Sequence, residues 1–113
     1  MRTPITTEQL TARDQILETA RALVAGNQDV IRAATRIAQF AYLIDPGYED
    51  LDLRTFVGIS SETDRLVVLD SVHGWHPDVR ATREVEYQEA NEFYRVRATR
   101  AAQALVQKLA PPA

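Results

Sequence analysis

The chain has 113 residues, of which 45% are apolar and 26% charged, which suffices for one hydrophobic core and leaves little for a second domain. It holds no cysteine, which excludes disulfides, thiolate metal sites and cysteine nucleophiles, and its net charge of −3 argues against a dedicated nucleic-acid module. No run approaches the ~18 apolar residues of a membrane span and Met1 to Glu8 carries no leader-like apolar stretch, so a cytoplasmic domain without a cofactor is expected.

The first helix is expected over about residues 7–25. Thr6 with Gln9 three positions on forms a capping box, in which each side chain satisfies a free backbone N–H, and Thr7 is an equally fair cap. Leu10, Ile16, Leu17, Ala20, Leu23 and Val24 then recur at helical spacing, and Gly26 supplies a left-handed stop. Asn27 reads as the cap of a second helix over about 28–44, where Val30, Ala34, Ile37, Ala41 and Ile44 share one face. Asp45-Pro46-Gly47 ends it, because a residue before proline avoids helical geometry. The two helices should form an antiparallel hairpin.

Residues 48–75 fit two readings. Leu51, Leu53, Phe56, Val57 and Ile59 suit a short helix near 49–59 followed by extended chain, the preferred reading. Alternatively, Thr55 to Ile59 and Leu66-Val67-Val68-Leu69 pair as a small β-hairpin across a Ser60 to Asp64 loop. Pro77 opens a last helix over about 77–109, since no further breaker appears before Pro111. At roughly 45 Å by the standard rise it must overhang, kink or dimerise. Its apolar line is Tyr87, Ala90, Tyr94, Ala98, Ala101, Leu105 and Leu109, with Phe93, Ala102 and Val106 beside it, and Arg80–Glu84, Arg83–Glu86 and Glu92–Arg95 are expected surface pairs. The fold class is therefore all-α: a small antiparallel helical bundle, a hairpin plus a long C-terminal helix, with a short β-hairpin or irregular segment in the middle.

Charge is uneven. Between Asp45 and Asp70 stand the acids Asp45, Glu49, Asp50, Asp52, Glu62, Asp64 and Asp70 against Arg54 and Arg65, whereas Arg95, Arg97, Arg100 and Lys108 follow the last acid, Glu92. Glu62 and Asp64, with Arg65 beside them, have the chemistry to bind a cation or a basic partner surface, and equally the chemistry of an ordinary turn. His73 and His76, with Asp70 and Asp78 nearby, suggest a metal, but their spacing is not that of a zinc helix and Gly74 denies them a rigid scaffold. Trp75 reads as an anchor for the last helix or a binding hot spot. The arginines near the C-terminus complement the helix dipole before they suggest nucleic acid. No phosphate loop, nucleophile elbow or triad spacing is present, so no catalytic residue is assigned.

The run Phe56-Val57-Gly58-Ile59-Ser60-Ser61-Glu62-Thr63-Asp64-Arg65-Leu66, followed by Trp75 and a long charged helix with Glu92-x-Tyr94, resembles a family of small bacterial proteins of unknown function. Ser61-Glu62-Thr63-Asp64 looks like its signature; Val67-Val68 stand where that family has a proline. The resemblance implies a bacterial, cytoplasmic protein and no known activity. Acidic helical proteins of this size are also similar to toxin-neutralising immunity proteins. The expected function is thus non-enzymatic binding of a protein partner, an immunity or antitoxin role being its most concrete form, through Glu62, Thr63, Asp64, Arg65, Trp75 and His76. The alternatives are a small metal-assisted hydrolase or ligand-binding protein using His73 and His76 with Glu62 and Asp64, and a structural homodimer without a ligand, joined through the long helix.

Overall fold

The computed structural model describes residues 6–67 and 77–111, and every regular element among them is a helix: α1 (Thr7–Val24), α2 (Val30–Ile44), α3 (Leu51–Val67) and α4 (Pro77–Leu109). The fold is all-α.

Helix α1 begins as its sequence dictates. Thr6 stays extended at φ −74° and ψ 160°, its hydroxyl accepts from Gln9 N–H, and the Gln9 side chain accepts from Thr6 N–H. It ends in a Schellman closure: Gly26 sits at φ +79°, its N–H donates to the Leu23 carbonyl, and Asn27 N–H donates to the Ala22 carbonyl. Helix α2 starts at Val30, so its cap is Asp29, whose carboxylate accepts from Arg32 N–H, rather than Asn27. All four leading N–H groups of α2 are satisfied. Val30 and Ile31 donate to the Asn91 side chain of α4, Arg32 to the Asp29 carboxylate, and Ala33 to the Asp29 carbonyl.

The turn from α2 to α3 is tied by two aspartates. Asp45 accepts from Glu49 and Asp50 N–H, and Asp50 accepts from Asp52 and Leu53 N–H as the cap of α3. The sequence reading of this region needs correction. The helix starts at Leu51 and continues to Val67 through the Ser60 to Asp64 stretch, which is neither loop nor extended chain. No strand occurs among the described residues; Leu66 and Val67 close α3, while Val68 and Leu69 lie outside them. The reason is packing: Leu53, Phe56, Ile59, Thr63 and Leu66 form one buried face at helical spacing, and this outweighs the turn preference of the hydroxyl residues. Thr63 hides its hydroxyl by donating to the Ile59 carbonyl at 2.6 Å, as Thr55 does to the Leu51 carbonyl.

Helix α4 opens at Pro77 and runs 33 residues, about 50 Å at the standard rise, along a molecule of 58 × 23 × 21 Å. It packs on α1, α2 and α3, while α1 and α3 lie on opposite sides of the bundle and do not meet. Ile16, Leu23, Val30, Ile37, Leu53, Phe56, Ile59 and Leu105 fill the core between small residues, Ala33, Ala34, Ala98 and Ala102 among them, which let the helix backbones approach. The buried line of α4 is Asn91, Tyr94, Ala98, Ala101, Ala102 and Leu105. Phe93, expected beside that line, is 72% exposed, and Asn91 takes the interior instead. From Pro77 to Val85 the helix is exposed apart from half-buried Arg83, so its first turns overhang the bundle. The three expected surface pairs form: Arg80–Glu84, Arg83–Glu86 and Arg95–Glu92.

Candidate functional site

Helices α3 and α4 run antiparallel, and polar bonds pin their register at three levels. At the foot, the Lys108 ammonium lies 2.7 Å from Asp50 and 2.6 Å from Asp52. At mid-height the Tyr94 hydroxyl donates to Glu62. Near the top, Arg65 meets Glu86 at 2.6 Å, with Arg83 on the same carboxylate at 3.2 Å. The titrations follow this wiring. The Glu62 bond foremost, with burial behind it, raises the Tyr94 hydroxyl above its ordinary value. Arg65 holds the Glu86 carboxyl below the usual range. Burial opposes ionisation of both Lys108 and Asp50, yet their mutual bond prevails, raising the lysine and lowering the aspartate.

Between these rungs a groove opens on the outer side of the pair. It consists of two adjoining hollows of about 330 and 470 Å³ that share Thr55 and Arg97. Leu51, Arg54, Gly58 and Glu62 bound the first, and Phe93, Val96 and Arg100 bound the second. Three large apolar side chains stand out of its walls, Leu51 at 70%, Phe93 at 72% and Val96 at 64% exposure. Gly58 belongs to the floor, and a Cβ there would meet nothing within 4 Å. Tyr94 organises one wall: Phe93 meets its ring edge-on at 4.8 Å, and the Arg97 guanidinium lies 5.9 Å from its centroid. Arg54 donates through Nε to the Tyr48 carbonyl, and Arg100 has no ion pair among the described residues.

The sequence candidates fare differently. Glu62 and Asp64 lie two apart on a helix, so their side chains diverge: Glu62 turns to Tyr94, and Asp64 is exposed with no partner among the described residues. Arg65 reaches Glu86 instead of orienting either acid. Thr63 is 2% exposed and its hydroxyl is spent on its own helix, so no partner can reach it. Trp75, His76 and His73 lie outside the described residues. Of the acidic stretch, Asp45 and Asp50 bond backbone N–H groups, Asp50 and Asp52 hold Lys108, and Glu62 holds Tyr94, which leaves Glu49 and Asp64 as the exposed acids without partners among the described residues.

Sequence reasoning missed the groove and the Asn91 network behind it. Asn91 accepts from Val30 and Ile31 N–H at 2.7 and 3.3 Å and donates to the Tyr87 carbonyl. The Tyr87 hydroxyl donates to Asp29, and burial first, then this bond, pushes it up to about 12. One signal was available: Asn91 falls three residues before Tyr94 and seven before Ala98, on the apolar line itself. A further hollow of about 390 Å³ is lined from all four helices, by Gln9, Arg13, Ile44, Leu53 and Leu109, and Arg13 Nε is buried there without a hydrogen bond.

Among the described residues no three His, Asp or Glu side chains gather as a metal would require, and no helix is long and apolar enough to cross a membrane. No protein-family model, curated protein or solved structure matches the chain.

Proposed function

We propose that this is a non-catalytic protein-binding domain whose partner seats on the α3–α4 face. The observation that carries the reading is the exposure of Leu51, Phe93 and Val96 together around one groove. Aromatic and aliphatic anchors bordered by arginines are the usual make-up of an interaction surface, and water is a costly neighbour for them in a free monomer. Here α3 and α4 each supply one wall of the face. A toxin-neutralising role through the acidic stretch is the second reading, favoured by the unpaired, exposed carboxylates of Asp64 and Glu49.

Affinity capture from source cells separates the two, using the unaltered protein, Leu51→Ser with Phe93→Ser, and Glu49→Lys with Asp64→Lys. All four substituted positions are exposed, so urea midpoints should stay within about 0.5 kcal/mol of the parent. The partner should be retained by the acid-reversed protein and lost by the groove variant. Retention by the groove variant would overturn the proposal, and loss by the acid-reversed protein alone would establish the second reading.

A further inference from the structure

We infer that the partner element seated on this face is an acidic amphipathic helix, an inference that rests on the protein-binding reading above and names its occupant. Backbone bonding decides the conformation. Both walls are helices whose N–H and C=O groups are bonded internally, so an extended peptide finds no free edge to pair with, and a partner must bring its own backbone bonds satisfied. Size agrees. From Leu51 to Glu62 the groove follows three turns of α3, roughly 17 Å, the length over which one helix presents apolar anchors at i, i+4, i+7 and i+11. Gly58 keeps the floor open midway along, where a side chain on α3 would otherwise intrude.

Charge decides the sign. The acids on the walls are already committed, Asp52 to Lys108 and Glu62 to the Tyr94 hydroxyl. The bases are not: Arg100 is unpaired among the described residues, Arg97 is held by a ring rather than a carboxylate, and Arg54 engages only its Nε. A chain of net charge −3 therefore turns a locally basic, apolar-studded groove outward. Carboxylates flanking an apolar stripe complement it, because guanidinium forks donate two N–H bonds to each carboxylate at low desolvation cost. Nucleic acid would share the attraction to arginine but leave Leu51 and Val96 against a charged backbone.

The test is selection from a display library of randomised 16-residue peptides, followed by affinity measurement of the enriched peptides. The expected winners are acidic, with helically spaced apolar residues, and become helical on binding. Their affinity should fall about tenfold or more with Arg97→Glu plus Arg100→Glu, and should weaken with added salt. Gly58→Glu, at a helical position with open space above it, leaves the fold intact and should abolish binding. Neutral, basic or extended winners, no enrichment, indifference to Gly58→Glu, or tighter binding of a single-stranded oligonucleotide would each overturn the inference. If captured partners still depend on Leu51 and Phe93 while the selected peptides are not acidic, only the occupant is wrong. If neither depends on the groove, the binding reading falls with it.

Discussion

Removing the Asn91 amide strands two N–H groups at the buried start of α2, since Val30 and Ile31 both donate to it. An unsatisfied buried donor costs about 1–3 kcal/mol, so Asn91→Ala should lower unfolding free energy by about 2 kcal/mol or more in urea titration. An unchanged midpoint would show that the interior position is not held by these bonds. The neighbouring Tyr87 makes a pH prediction. Burial and Asp29 place its hydroxyl at about 12 against an ordinary 10.0, so the neutral form belongs to the folded state. Its contribution is fully present below pH 10 and disappears as pH climbs through about 12. The stability gap between the parent and Tyr87→Phe should therefore narrow between about pH 10 and pH 12, and parallel curves would contradict the bond. Neither residue announces itself in sequence as more than a polar position on a long amphipathic helix. Periodicity names a face; it does not say that Asn91 enters it while Phe93 leaves it.

At the scale of elements, two glycines should respond in opposite directions. Gly26 holds φ +79° at the end of α1, a region where a Cβ is strained, and Gly26→Ala should cost about 1 kcal/mol. Gly58 is interior to α3 with open space at its Cβ, and Gly58→Ala should stabilise by about 0.5–1 kcal/mol. Denaturant midpoints of the two variants check both signs at once. Elements were legible wherever a local signal decided them: the Thr6–Gln9 box, the Gly26 stop and Pro77 all act within a turn. They were misread where two local signals competed. Asn27 and Asp29 are both capping residue types; Asn27 belongs to the closure of α1, and Asp29, next to Val30, caps α2. In α3 the composition of Ser60 to Asp64 favoured a turn, while the buried spacing from Leu53 to Leu66 ran straight through it. Thr63 was the misleading residue, polar in type and interior in place.

The whole molecule is set by the mismatch between a 33-residue helix and three shorter partners. The first turns of α4, up to Val85, are exposed apart from half-buried Arg83, so amides near residues 81–85 should exchange with deuterium about tenfold or more faster than those near 94–105. Equal protection would mean the overhang is covered in solution. The candidate site belongs to this scale too, which is why the sequence did not disclose it. Leu51 and Val96 line adjoining hollows only because α3 and α4 pack side by side, and no spacing within either helix encodes that. The acidic excess that was legible is largely consumed within the fold, at helix caps, on Lys108 and on Tyr94. The most direct test is a photo-crosslinking amino acid placed at Phe93 in source cells, with the exposed Tyr42 of α2 as the control position. Crosslinking of one protein partner from position 93 and none from position 42 is the predicted result; crosslinks from 42 alone, or from neither, would contradict the α3–α4 face as the binding surface.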